Sequence, residues 1–442
     1  MKRHGWHFIL LWSFVIAYNL GMLKQAQAGL FRSSISNNPI FENGIPLSRV
    51  ETGFSGSFQG KPSPRQMFYR RYANPGAPPV VLAHGILNTS WMMEYLARDL
   101  FQQGYDVWSI NHLGFGLDGE RSYVIQPEVG DYGIGPSVRG LEQILTHIHQ
   151  TTQQKLNYVG FSMGGMLYHL LISGAVGIDE QGYPHFDEQL GLQISKMFSR
   201  AVIIGAPNYN LEGLALMPRL LFSSGNILFQ KQFKKKDEIF NLGFGSMAGA
   251  SDKKSGIGKW LDFLQFPGGD FAVKYLVQDA GNLNHFGPLQ KNQKWMLAAM
   301  FSNPHTDILR SFFLMMTKGL IEPEKNYQKI PTLLVMGSKD RLADPWVVYR
   351  NFRDAYVKNE NISAILMSDF GHLDMLLPES LHEVGFSEYL VQFLEDSDNY
   401  KKHHDPLQLL GYKHFRADNI LETFLTEVPR QKIPFSCDQI FL

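Results

Sequence analysis

The chain has 442 residues, with 41 Lys+Arg balanced by 41 Asp+Glu, 44% hydrophobic residues and a single cysteine. That balance gives no electrostatic footprint for nucleic acid, and the lone Cys437 cannot close an intrachain disulfide, so stability must come from buried apolar surface. The length suits one large domain with an inserted or appended region.

The amino terminus, "MKRHGWHFILLWSFVIAYNLGMLKQAQAGL", has basic residues Lys2 and Arg3, an apolar run from Phe8 to Leu23, and small residues at Ala26 and Ala28. This is the pattern of an export signal cut after Ala28, which predicts a periplasmic or extracellular protein. A retained anchor is the alternative, but Asn19 interrupts the run and it falls short of the ~20 residues of a comfortable span. Cleavage would leave 38 basic against 41 acidic groups.

Next, strands and helices alternate. "PVVLAHG" (Pro79 to Gly85) reads as a continuous apolar strand, "SWMMEYLARDLFQQG" (Ser90 to Gly104) as an amphipathic helix capped by Ser90 and stopped by Gly104, and "YDVWSIN" (Tyr105 to Asn111) as the following strand. Pro136 opens a second helix running to Gln150, and Leu156 to Val159 is a third strand. Gly177 to Lys196 reads as a polar surface excursion. "RAVIIGAP" (Arg200 to Pro207), "IPTLLVMGSKD" (Ile330 to Asp340) and a run within "ISAILMSDFGH" (Ile362 to His372) complete the strands. Such alternation predicts an α/β chain with a mostly parallel, doubly wound sheet covered on both faces.

About 120 residues lie between the strand at Arg200 and that at Ile330, too many for an ordinary connection. The expected division is therefore a signal peptide over 1–28, core over 29–207, an inserted helical cap over 208–329, core again over 330–394, and a tail over 395–442 with no assigned role. The cap's Leu221, Phe222, Phe263, Phe266, Met296, Phe312 and Phe313 could line an acyl site, although packing within the cap is the plainer reading for any one of them. The cluster Lys231, Lys234, Lys235 and Lys236 offers transient contact with an anionic lipid surface, with a solvated loop as the plainer reading.

In "LNYVGFSMGG", Ser162 stands between Gly160 and Gly164, directly after a strand and before the apolar helix "MLYHLLIS" (Met166 to Ser173). A G-x-S-x-G pattern alone is weak, since 41 glycines in 442 residues would produce one in roughly a quarter of such chains. Here, however, it has the strand-turn-helix context of a nucleophile elbow, which the serines of "GFSGS" and "GFGSMAG" lack. An activated serine needs a base, a carboxylate to orient the base, and donors for the developing oxyanion. Asp340 and His372 each lie just beyond a strand, where such groups collect in a doubly wound sheet. Asp344 competes with Asp340 but is farther from its strand, and Asp374 reads as a first-turn helix residue. The oxyanion donors are then the N–H groups of Met163, at a helix start, and Ile86, after the first central strand. His84 reads as a support for that loop. The pairs His147/His149 and His403/His404 lack partners at metal-ligand spacing.

On "VVLAHGILNTSWM", "GYDVWSINHLGFG", "DYGIGPSVRGLEQIL", "LNYVGFSMGG", "MGSKDRLADP" and "FGHLDMLL", the chain resembles the α/β-hydrolase fold superfamily, and within it the acid lipases that include gastric and lysosomal lipases. The likeness runs from about Arg65 to Leu394. It implies an α/β-hydrolase fold with an inserted helical cap, a triad of Ser162, Asp340 and His372, an oxyanion hole at Ile86 and Met163, no metal or organic cofactor, and a small-molecule or lipid ester as substrate. One departure is "HLGFG" after "DVWSIN", where the acid lipases have an arginine-glycine-asparagine segment. The expected function is a serine esterase or lipase. An acyltransferase would use the same triad, and a binding module could retain the scaffold without chemistry; oligomeric state has no signal in the sequence.

Overall fold

A computed structural model describes residues 47–52, 65–116, 120–125, 131–178, 184–206, 304–318, 330–340, 342–345, 348, 362–367, 370–376, 386–395 and 412–416. The signal region, the lysine cluster, His403/His404 and most of the expected cap, with Leu221, Phe222, Phe263, Phe266 and Met296, lie outside these residues.

The strands are β1 (Leu47–Thr52), β2 (Arg65–Tyr72), β3 (Pro79–Ala83), β4 (Asp106–Ile110), β5 (Tyr123–Val124), β6 (Leu156–Phe161), β7 (Ala175–Ile178), β8 (Pro184–Phe186), β9 (Phe198–Ile204), β10 (Thr332–Gly337), β11 (Ile362–Met367) and β12 (Tyr412–Arg416). The helices are α1 (Glu94–Gln102), α2 (Ile134–Thr152), α3 (Met163–Ile172), α4 (Glu188–Ser195), α5 (Thr306–Lys318) and α6 (Phe386–Glu395). One sheet has the order β1-β2-β4-β3-β6-β9-β10-β11-β12, with β5 also pairing β2. Its six central strands, β4 to β11, are parallel, whereas β1, β2, β5 and β12 join antiparallel at the flanks.

The central strands are apolar on both faces because both are covered. Val81, Ala83, Tyr158, Ile203 and Leu334 point into one core cluster with α2, α3 and the inner side of α5. Their neighbours Val80, Leu82, Val159, Phe161, Ile204 and Val335 point into the other, with Leu96 and Leu100 of α1 and Phe386 and Leu390 of α6. The chain leaves β3 for β4 on one side and then returns to β6 on the other. The loops after β3 and β6 therefore diverge, and a crevice at that switch point is where ligands bind in open α/β sheets.

Several local expectations change. The helix after β3 begins as a 3-10 turn at Ser90–Met93, and Thr89 rather than Ser90 is its cap, accepting from the Trp91 N–H. The first helical residue of α2 is Ile134, two residues before Pro136. Gly177 to Lys196 is not merely a polar excursion: β7 and β8 form an antiparallel hairpin, and α4 buries Ile194 against the core. The α5 helix falls within the stretch assigned to the cap, yet Ile308, Phe312 and Met315 belong to the sheet's core cluster. Phe312 thus packs into this core cluster. The carboxyl-terminal stretch contributes β12, which extends the sheet beyond β11.

Candidate active site

The chain reverses at Ser162, between β6 and α3, with φ 50° and ψ −117°. Positive φ costs a non-glycine residue of order 1–3 kcal/mol and persists only where the surroundings impose it. Here the Ser162 N–H donates to the Ile204 carbonyl at 2.8 Å, and the Ser162 carbonyl accepts from Met166 at 3.1 Å, holding the turn between β9 and the first turn of α3. The flanking glycines admit this close folding. A Cβ on Gly164 would collide with the Ala83 carbonyl oxygen and stand 2.9 Å from that of His84; one on Gly160 would lie 2.7 Å from the Gly165 nitrogen. The end of β3 is thereby pressed against the start of α3. Ser162 itself is 7% exposed.

Beyond β10, Asp340 is buried and uses both carboxylate oxygens. Its Oδ1 accepts from the Leu342 and Ala343 N–H groups, each at 2.8 Å. Its Oδ2 lies 2.8 Å from Nδ1 of His372, which follows β11. With Nδ1–H donating to this carboxylate, Nε2 is left bare and can accept a proton. Asp340, rather than Asp344, is thus the carboxylate at the imidazole. A backbone bond ties the two loops together, from Lys339 N–H to the Phe370 carbonyl at 2.9 Å, and within the second loop Asp374 Oδ2 accepts from Gly371 N–H at 2.9 Å. Asp374 opens a 3-10 turn and is fully buried.

Two contacts place this pair beside the elbow. The His372 ring lies 4.8 Å, centroid to centroid, from that of Phe161, the residue before Ser162. Gly205, next to the carbonyl that holds Ser162, has φ 52°, and a Cβ there would stand 3.2 Å from His372 Nδ1 and 3.3 Å from Asp340 Oδ2.

Of the expected oxyanion donors, Met163 is the first residue of α3, so no helical carbonyl precedes its N–H at the right spacing. Ile86 lies in the turn after β3. A Cβ on its neighbour Gly85 would be 3.0 Å from the Ser162 Cβ, so this turn borders the elbow. Two residues beneath it escaped the sequence reading as a pair. His84 Nδ1 lies 2.7 Å from the Gly85 carbonyl and its Nε2 accepts from the His112 N–H at 3.1 Å, while His112 Nε2 lies 3.0 Å from the His84 carbonyl. Burial and the proximity of His112 push His84 well below the usual histidine range, and burial lowers His112 to about 4. His147 and His149 sit apart on α2: His147 packs near Trp108, and His149 Nδ1 meets the Gln154 carbonyl at 2.7 Å.

Residues 78–175 match the alpha/beta hydrolase fold family. Over 142 residues, 28% of this chain and 29% of the relative, the chain is 27% identical to triacylglycerol lipase 2 of Arabidopsis thaliana, and so spans under a third of that protein's length. Among solved structures, a thioesterase domain from the curacin biosynthetic pathway is 15% identical with a TM-score of 0.47, covering 78% of this chain and 99% of its own. A thermophilic esterase from Thermogutta terrifontis is 14% identical with a TM-score of 0.46, covering 79% and 98%. The family match spans β3 to the start of β7, the part of the sheet that contains the switch point and the turn at Ser162. Together with the parallel, doubly wound order of the sheet, it gives this chain the α/β-hydrolase fold.

Proposed function

We propose that this protein is a serine hydrolase of carboxylic esters, with lipid acyl esters as its substrate class. The observation that carries the reading is the 2.8 Å contact between His372 Nδ1 and Asp340 Oδ2 beside a serine held at positive φ. Ser162 Oγ attacks the ester carbonyl while His372 Nε2 takes its proton, and Asp340 stabilises the imidazolium that forms. The oxyanion is met by the N–H groups of Ile86 and Met163, the latter aided by the positive end of the α3 dipole. His372 then gives the proton to the departing alcohol, and water repeats the sequence on the acyl-enzyme. No metal or organic cofactor enters this chemistry.

The lipid preference rests on the partial likeness to a triacylglycerol lipase and on the apolar stretches between Pro207 and Ile330. Export is proposed from the leader-like sequence before Gly29; no helix among the described residues is long and apolar enough to cross a membrane. The test is to incubate the purified protein with esters of graded acyl length and with a serine-directed phosphonate, and to identify the labelled residue. Labelling elsewhere than Ser162, or ester turnover in Ser162→Ala, would overturn the assignment. Transfer of acyl groups to an added alcohol in preference to water would make the enzyme an acyltransferase.

A further inference from the structure

We propose that His112 and His84 form a bracket that presets the oxyanion donor at Ile86, with His112 acting through His84 as a positioning residue. The inference rests on the esterase reading above. A trans peptide points its C=O and N–H in opposite directions, so whatever holds the Gly85 carbonyl also aims the Ile86 N–H. His84 Nδ1 holds that carbonyl at 2.7 Å. His84 can donate there only if Nδ1 carries the proton, and His112 enforces this: its backbone N–H points at His84 Nε2 from 3.1 Å and needs a bare nitrogen to accept it.

The His112 side chain fixes the preceding peptide as well. Its Nε2 lies 3.0 Å from the His84 carbonyl, the group against which Gly164 of the elbow is packed. Two successive peptides of the turn, 84–85 and 85–86, are therefore each held by an imidazole. The rings meet edge to face with centroids 4.6 Å apart, and Phe115 closes on His84 at 5.5 Å. Both histidines are fully buried and held neutral, as the bracket requires, since a protonated His84 could not accept from the His112 N–H. Two of the three bonds join the loop after β3 to the loop after β4, and the third, from His84 to Gly85, lies within the first loop. His112 also opens the "HLGFG" segment, where this chain parts from the acid-lipase pattern.

The bracket contacts no substrate, so its loss should appear in transition-state stabilisation and not in substrate binding. The test measures kcat and KM on p-nitrophenyl butyrate, per active site titrated with a phosphonate, and the Ki of an alkyl trifluoromethyl ketone, which forms an oxyanion on the serine. In His84→Ala, kcat should fall by about 10²-fold, Ki should rise by a similar factor, and KM should stay near that of the parent. His84→Asn, whose amide can replace Nδ1–H, should recover most of the loss, whereas His84→Gln should not. His112→Ala keeps the backbone N–H and should show a smaller loss, relieved in His112→Gln, whose amide reaches the position of Nε2. Unchanged kcat and Ki per titrated site in His84→Ala would overturn the bracket while leaving the esterase reading intact. So would a loss in His84→Ala that Asn does not relieve. If His84→Ala does not fold, unchanged kcat in His112→Ala would do the same. Failure of the phosphonate to label Ser162 in the parent enzyme would overturn both.

Discussion

Replacing Asp340 with Asn separates the proposed catalytic role of this carboxylate from its structural one. In the native protein, Oδ1 takes two backbone N–H groups at 2.8 Å and Oδ2 faces His372 Nδ1 at 2.8 Å. An Asn amide can satisfy the Leu342 and Ala343 N–H groups only with its oxygen, which turns its NH2 toward His372. The imidazole must then present a bare Nδ1 and carry its proton on Nε2, the wrong tautomer to take the Ser162 proton. The expected loss in kcat is about 10³ to 10⁴, as for the same exchange in other serine triads, or about 4–5.5 kcal/mol of transition-state stabilisation. Stability should hardly change, because the two backbone bonds survive. Asp340→Ala breaks those two bonds to a charged acceptor, each worth about 1.5–3 kcal/mol, and should lower the melting temperature as well as kcat. Steady-state kinetics on p-nitrophenyl butyrate and thermal melts of both variants give the comparison. The reasoning is refuted if Asp340→Asn stays within tenfold of the parent kcat, or if Asp344→Asn shows the larger loss.

Ser162→Ala should remove nearly all turnover and leave the melting temperature unchanged or raised, since the small hydroxyl sits at a strained turn; retained activity there would sink the nucleophile assignment. Gly164→Ala forces a methyl onto the Ala83 carbonyl oxygen and should cost about 1–3 kcal/mol of stability together with activity; a melt and a turnover rate like the parent's would contradict the close approach. For substrate, each added methylene should contribute up to about 0.8 kcal/mol, so kcat/KM should rise from acetyl to medium or long acyl p-nitrophenyl esters below their aggregation limit; a steady decline beyond butyryl would leave a short-chain esterase. Acid should destabilise the fold through its buried histidines: burial lowers His112 to about 4 and His169 and His305 to about 3, with Arg121 and Arg310 adding to the effect on His305. The unfolded chain therefore gains protons first as pH falls below about 6.5, and each group removes up to about 1.4 kcal/mol per pH unit until its folded pKa is reached. Chemical denaturation between pH 7.5 and 4 measures the slope, and a flat profile would contradict it.

The central strands were legible because parallel strands covered on both faces carry near-continuous apolar runs, as "PVVLA" does in β3, "AVII" in β9 and "LLVM" in β10. β2 was not, since "RQMFYRRY" has three arginines and a glutamine among its eight residues. Its polar groups are held by partners distant in sequence: the buried Arg70 meets Glu94 at 3.2 Å, and the half-buried Arg71 meets Asp106 at 2.8 Å while stacking over Trp108. No local periodicity reports such pairing. The same holds for β12, whose "YKHFR" becomes a strand by pairing with β11.

The three imidazoles at this end of the sheet show where sequence stops and geometry begins. Of 15 histidines, His372 stood out because it follows a strand, and at a strand's carboxyl end it could reach the elbow. His84 and His112 lie still closer to strand ends, so position alone cannot sort them. Their partners can. His372 is given a carboxylate at Nδ1, which would compensate a positive ring. Among the described residues, His84 and His112 have only backbone groups and each other as hydrogen-bond partners, so a charge on either would be buried without compensation from these. One imidazole is therefore equipped to accept a proton, as the proposed mechanism requires, while the other two are kept neutral and spend their hydrogen bonds on the backbone beside it.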